Sequence, residues 1–83
     1  PMAINWTKQR ILFELRERGV TASELAARAG ISRHTIYGGL QRPYPKVNDL
    51  VAEALGIQRQ VIWPQFYDAD GNRTGVISAS RAA

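Results

Sequence analysis

The sequence contains no cysteine. Disulfides and thiolate metal sites are excluded, and a reducing compartment is the natural setting. His34 is the only histidine, so no histidine pair exists to hold a metal or relay a proton. Nucleophile-elbow and phosphate-loop glycine patterns are missing. Asp68-Ala69-Asp70-Gly71 has a faint likeness to a calcium loop. Its glycine comes two residues early, and Ala79 stands where the closing glutamate belongs. No apolar run approaches the length of a membrane span, and there is no signal-peptide pattern. There is no internal repeat. The carboxylates are scattered over helix faces as solvated charge. The expectation is a protein without enzymatic activity, cofactor, metal or small-molecule substrate, located in the cytoplasm and associated with the nucleoid rather than with a membrane.

What is present is short and basic. A chain of 83 residues makes one small domain, and 45% hydrophobic content permits a packed core. The formal net charge is +4 and the isoelectric point about 10.1. That balance suits a polyanionic partner, and its weight depends on where the charges fall.

The stretch from Thr21 to Leu40 organises the chain. Thr21 and Glu24 form a T-x-x-E capping box that starts a helix. Leu25, Ala26 and Ala29 recur at helical spacing. Gly30 is the expected stop, in the left-handed conformation that glycine adopts without strain. Ile31 plugs the turn, and Ser32 caps a second helix running through Ile36 towards Leu40. A small residue at the crossing, a glycine in the turn and an apolar anchor in the second helix together resemble the DNA-binding helix-turn-helix. An ordinary helical corner shares one of these features more often than all three.

Around this motif three further helices are expected. Asn5 caps a first helix from Trp6 to about Arg18, ended by Gly19, with Ile11, Leu12 and Leu15 on its inner face. Lys8, Arg10, Arg16 and Arg18 are read as mostly solvated. Phe13 points away from that stripe. It is expected to be covered by the chain's own C-terminal end, with a contact surface as the alternative. Pro43 and Pro45 stiffen the loop after the motif, and Pro45 is placed as the first residue of the next helix. There Val47, Leu50, Val51, Ala54 and Leu55 face inward, while Asn48, Asp49 and Glu53 are assigned outside. Gly56 closes it. A short helix from Gln58 to Ile62 follows, with Val61, Ile62 and Trp63 expected to close the core. Residues 1–67 are assigned to the domain and residues 68–83 to a loose tail with a turn. A hairpin at Asp70-Gly71 is the less favoured reading.

Helix-turn-helix geometry assigns the candidate site. The start of the second helix meets base edges in the major groove, which nominates Ser32, Arg33, His34 and Tyr37, with Gln41 at the margin. Arg33 has the fork to pair with two adjacent guanine acceptors. Thr21 and Ser23, at a positive helix end, are candidates for phosphate, as are Thr35, Arg42 and Lys46. For His34 and Tyr37 the bland alternatives are an exposed turn residue and packing beside Ile36. Gly38 and Gly39 weaken a helix, and close approach of the backbone to DNA or to the preceding helix is the expected return.

From Asn5 to Tyr67 the chain resembles the Ner family, DNA-binding regulators of Mu-type phages and their bacterial relatives. The resemblance is carried by Asn5-Trp6, Arg18-Gly19, Gly30, Arg42-Pro43-Tyr44-Pro45, Ala52 to Leu55, Ile62-Trp63-Pro64 and Tyr67. It implies an all-α, five-helix, lambda-repressor-like domain that binds double-stranded operator DNA and represses early phage transcription, with self-association on DNA possible. Ala22 departs from the wider fold, which often has a phosphate-binding glutamine there. The Gly38-Gly39 pair is unusual, and the chain after Tyr67 does not match. The rival is a helix-turn-helix fold used as a protein-interaction module, of adaptor or antitoxin type.

Overall fold

The first three helices each begin at a side-chain cap. The computed structural model describes residues 4–74. Along them run α1 (Lys8–Glu17), α2 (Ala22–Ala29), α3 (Arg33–Gly39), α4 (Pro45–Leu55) and α5 (Arg59–Ile62). The capping box of α2 is complete, and Gly30 ends that helix at φ 67°. Ser32 caps α3, accepting from the Thr35 N–H at 3.1 Å. Pro45 opens α4, and Gly56 closes it at φ 71°.

The cap of α1 differs from expectation. Thr7 accepts the Arg10 N–H at 3.1 Å, so the helix starts at Lys8 rather than Trp6. Asn5 has a tertiary partner instead: its Oδ1 accepts the Gln65 N–H at 2.9 Å. The Trp6 N–H donates to the Ile62 carbonyl at 2.9 Å. These two bonds fasten the start of the chain to the turn after α5.

α2 and α3 pack on each other as the helix-turn-helix, and α4 lies against α1, α3 and α5. Their inner faces share one core, built around Ile11, Leu25, Ile36, Val51, Ile62 and Trp63. Val61, expected in that core, is 53% exposed, because the short helix turns Ile62 and Trp63 inward. Phe13 is 52% exposed. The chain through Thr74 does not cover it, and the C-terminal end expected to do so lies outside the described residues.

The main correction is Asn48, assigned to the outside and found fully buried. Its Nδ2 donates to the Gly39 carbonyl at 2.7 Å and to the Arg42 carbonyl at 3.3 Å. Its Oδ1 accepts from the Tyr67 hydroxyl at 2.6 Å. Beside it, Trp63 Nε1–H donates to the Leu40 carbonyl at 2.9 Å. The end of α3 is thus bonded by side chains from α4 and from the segment after α5. Burial pushes the Tyr67 phenol up from its ordinary value of 10.0, with the Arg59 guanidinium acting against that shift. The hydroxyl therefore stays a donor throughout the physiological range.

Gly39 is a point of close approach between α3 and α4. A Cβ there would stand 2.5 Å from both Cβ and Cγ1 of Val47. The glycine serves contact with the following helix, not the preceding one. Beyond Tyr67 the chain turns back more firmly than a loose turn. Tyr67 and Arg73 form an antiparallel bridge, the Asp68 N–H reaches the Asn72 carbonyl at 2.8 Å, and Gly71 takes φ 83°. The Arg59 guanidinium holds this loop, donating to the Gly71 carbonyl at 2.6 Å and to Asp49 at 2.9 Å. Val76 and Ile77 lie outside the described residues.

Two outcomes test this packing. Asn48→Leu leaves the buried Gly39 carbonyl and the Tyr67 hydroxyl without the partner that Asn48 gives them, and is expected to destabilise the domain by on the order of 3 kcal/mol in urea unfolding. Tyr67→Phe costs less. The double variant falls short of the sum, because both act on one network. Gly39→Ala is expected to cost about 1–3 kcal/mol through overpacking. Gly38→Ala instead stabilises by up to about 1 kcal/mol through helix propensity. Equal melting temperatures for the two glycine variants would refute the close approach at Gly39.

Candidate nucleic-acid interface

The charge of this protein is unevenly placed. Between Glu24 and Asp49 there is no acidic residue, while Arg28, Arg33, Arg42 and Lys46 all fall there. The rest of the chain carries seven cations and seven carboxylates and is neutral. The whole net charge therefore belongs to the end of α2, to α3, to the loop that follows and to the first turn of α4. All four cations are exposed and none is in an ion pair among the described residues. The described ion pairs, Arg18–Glu14 and Arg59–Asp49, lie elsewhere.

Helical spacing sorts the side chains of α3. Ile36, Gly39 and the C-cap Leu40 are buried. His34, Gly38 and Gln41 fall at intervals of four and three on the opposite, exposed side. Arg33 and Tyr37, four apart, form one flank of that stripe. Thr35 lies on the other. Arg33, His34 and Tyr37 are thus brought together on one accessible surface of a helix.

The hydroxyl residues are less available. Thr21 donates its N–H to Glu24 Oε1 at 3.0 Å and its hydroxyl to the same atom at 3.2 Å. Both donors are engaged by a carboxylate, which itself repels phosphate. In the first turn of α2, Ser23 is exposed and outside this pairing. Ser32 and Thr35 bond each other, with their hydroxyl oxygens 2.9 Å apart. Two hydroxyls have two hydrogens and this contact uses one, so the pair retains one donor for an incoming acceptor.

Two cations that read as merely solvated in the sequence border this surface. Lys8 Nζ sits 5.0 Å from the centre of the Tyr37 ring. Arg16 lines an open hollow with Leu12, Thr21 and Tyr37, between α1 and the start of α2. Lys8, Leu12 and Arg16 recur every four residues, and that spacing is the signal the sequence offers. The Tyr37 ring is half-buried, packed towards α1 as well as against the core.

Residues 5–79 match the family model described as winged helix-turn-helix DNA-binding. A negative regulator of transcription from Escherichia phage D108 is 36% identical over 63 residues, covering 76% of this chain and 86% of the relative. Sugar fermentation stimulation protein B of Escherichia coli K12 is 38% identical over 64 residues, covering 77% and 70%. The Mu-like prophage FluMu DNA-binding protein Ner of Haemophilus influenzae is 37% identical over 59 residues, covering 71% and 66%.

This chain belongs to the Ner-like helix-turn-helix family. The family description includes a wing. Among the described residues of this Ner-like protein, the only β pairing is the bridge between Tyr67 and Arg73. That loop is tied to α4 and α5 through Arg59. The exposed cationic surface belongs to the helices and the proline loop. No helix among the described residues is long and apolar enough to cross a membrane.

The start of α3 rests on Ser32, since that helix has only seven residues. Ser32→Ala removes the acceptor of the Thr35 N–H and is expected to cost about 1 kcal/mol. Ser32→Asp restores the cap. Thermal melts that rank wild type and Ser32→Asp together above Ser32→Ala would bear this out. A Ser32→Ala protein as stable as wild type would not.

Proposed function

We propose that this protein is a sequence-specific DNA-binding regulator of transcription that enters the major groove with α3. The observation that carries the reading is the charge placement. All of the net positive charge lies from Arg28 to Lys46, around a helix whose exposed stripe bears His34 and Gln41. DNA attracts such a face through its phosphates and is read through base edges.

Within this reading Arg33 pairs with a guanine edge and His34 donates to a base or phosphate. Tyr37 contacts the sugar-phosphate backbone at the flank, where Lys8 adds a cation. Ser23 and Lys46 bind phosphates on either side of α3. Thr35 and Ser32 offer one hydroxyl donor between them. Thr21 contributes chiefly by starting α2, because its donors are held by Glu24. The name of the phage D108 relative, a negative regulator of transcription, supports repression as the sign of control. Protomers paired on a two-fold operator, with half-sites about one helical turn apart, are the docking that fits a domain of this size. A cytoplasmic, nucleoid-associated location follows from the partner.

Selection of bound sites from random DNA tests the reading, followed by titration of operator and scrambled duplexes at several salt concentrations. Arg33→Ala is expected to weaken operator binding by roughly 1–3 kcal/mol and to relax preference at one base pair. Lys46→Ala is expected to weaken all sequences alike. Its log–log salt dependence becomes shallower by about one unit for each phosphate that the lysine neutralises in the wild type. If the folded wild type enriches no motif and shows only weak, sequence-independent retention, the surface serves protein interaction instead.

A further inference from the structure

An exposed glycine inside a helix is costly, by about 1 kcal/mol against alanine. Gly38 is such a residue, exposed, within α3 and without a positive φ. Gly39 beside it is required by Val47, but no packing of the core requires Gly38. The three atoms nearest to a Cβ at Gly38 would all belong to the Arg42 guanidinium, with Nη2 at 3.2 Å, Cζ at 3.7 Å and Nε at 3.9 Å. Three atoms of one planar group within 4 Å place its plane alongside the bare backbone of the helix. Tyr44 borders the group, with its ring centre 5.8 Å from Cζ. Among the described residues no carboxylate pairs with Arg42.

Gly38 lies on the exposed stripe of α3, four residues after His34 and three before Gln41. Its missing side chain is therefore a seat on the groove-facing side, and Arg42 occupies it from beyond the end of the helix. We infer that Arg42 reads a base edge, pairing its fork with the two adjacent acceptors of a guanine, and that Gly38 exists to seat it. This rests on α3 entering the major groove as proposed above. A phosphate anchor needs only a charge, and Lys46 supplies one from the first turn of α4. A planar fork held across the exposed face of the reading helix presents its N–H groups to base edges, where bidentate geometry discriminates. The stripe that would otherwise hold only His34 and Gln41 gains an arginine that helical register alone would direct to its edge.

The test compares wild type, Arg42→Ala, Arg42→Lys and Gly38→Ala, each confirmed as folded by circular dichroism. Each undergoes site selection and then titration on the selected duplex and its single-base variants. The wild type is expected to discriminate by roughly 10–100-fold at the base pair Arg42 reads. Arg42→Ala brings that ratio close to one and changes the salt slope by much less than one unit. Arg42→Lys keeps the charge and still loses the discrimination. Gly38→Ala lifts the guanidinium from its seat and weakens the same base preference in a protein at least as stable as wild type. If Arg42→Ala weakens every sequence alike with a slope shallower by about one unit, and Arg42→Lys restores binding, Arg42 is a phosphate anchor and the inference is overturned. An unchanged motif in Gly38→Ala overturns the seat. A wild type that selects no motif overturns the DNA reading and this assignment with it.

Discussion

The last carbonyls of α3 have no further helix to bond to, and they point into the protein. A buried carbonyl left unpaired costs about 1–3 kcal/mol. Most helices solve this with a glycine cap and water, but Leu40 ends α3 in a right-handed conformation inside the core. The solution comes from elsewhere in the chain. Asn48 takes the carbonyl of Gly39, reaching also that of Arg42 in the loop beyond, and Trp63 takes that of Leu40. Asn48 then has an oxygen to satisfy, which Tyr67 does. Gly39 must be bare so that α4 can come close enough. Residues as far apart in the chain as Gly39 and Tyr67 are one answer to a single unsatisfied helix end.

That constraint also holds α3 in place. A helix of seven residues is too short to hold itself together in water. α3 is fixed at its start by the Ser32–Thr35 pair and at its end by Asn48 and Trp63. Pro43 and Pro45 limit the loop that follows. The exposed stripe is therefore presented on an element with little freedom left to lose on binding, which favours affinity and specificity together. The Arg59 staple belongs to the same logic. It holds the loop after Tyr67 against α4 and keeps the Tyr67 ring covered, with its guanidinium carbon 4.1 Å from the ring centre.

Local signals are legible in the sequence because they act within four residues. The capping box at Thr21, the stop at Gly30, the cap at Ser32 and the proline start at Pro45 each stand where the pattern puts them. Asn48 is misplaced when residue type is weighed over position. It lies three and four residues before Val51 and Ala52 and seven before Leu55, squarely on the apolar stripe. A polar residue on such a stripe signals a buried network, but its partners are not adjacent in sequence. Asn5 fails for the same reason, its side chain bonding a residue sixty positions away. Gly38 and Gly39 look alike as a pair, and only the packing of Val47 and Arg42 separates their reasons. At the site, spacing groups Arg33, His34 and Tyr37 correctly on one surface. The capping box itself implies that the donors of Thr21 are engaged by Glu24, which argues against a second role as a phosphate ligand. The spacing of Lys8, Leu12 and Arg16 marks one face of α1, but the approach of that face to Tyr37 is a tertiary contact that periodicity within one helix does not encode.

The charge distribution completes the picture, because the two described ion pairs do little for stability. Glu14–Arg18 and Asp49–Arg59 involve partly exposed side chains, and such pairs contribute about 0–1 kcal/mol. Their effect is better seen in the field of the whole molecule. By neutralising cations away from α3, they leave the positive potential concentrated from Arg28 to Lys46. A molecule with one charged face and a neutral remainder is turned by the field of a polyanion before contact is made, and encounters begin with that face forward. The ordering matters for a small reader of sequence. In the docking proposed above, sequence-independent attraction brings α3 to the groove in its working orientation, and the short-range pairing of a few side chains then decides whether it stays.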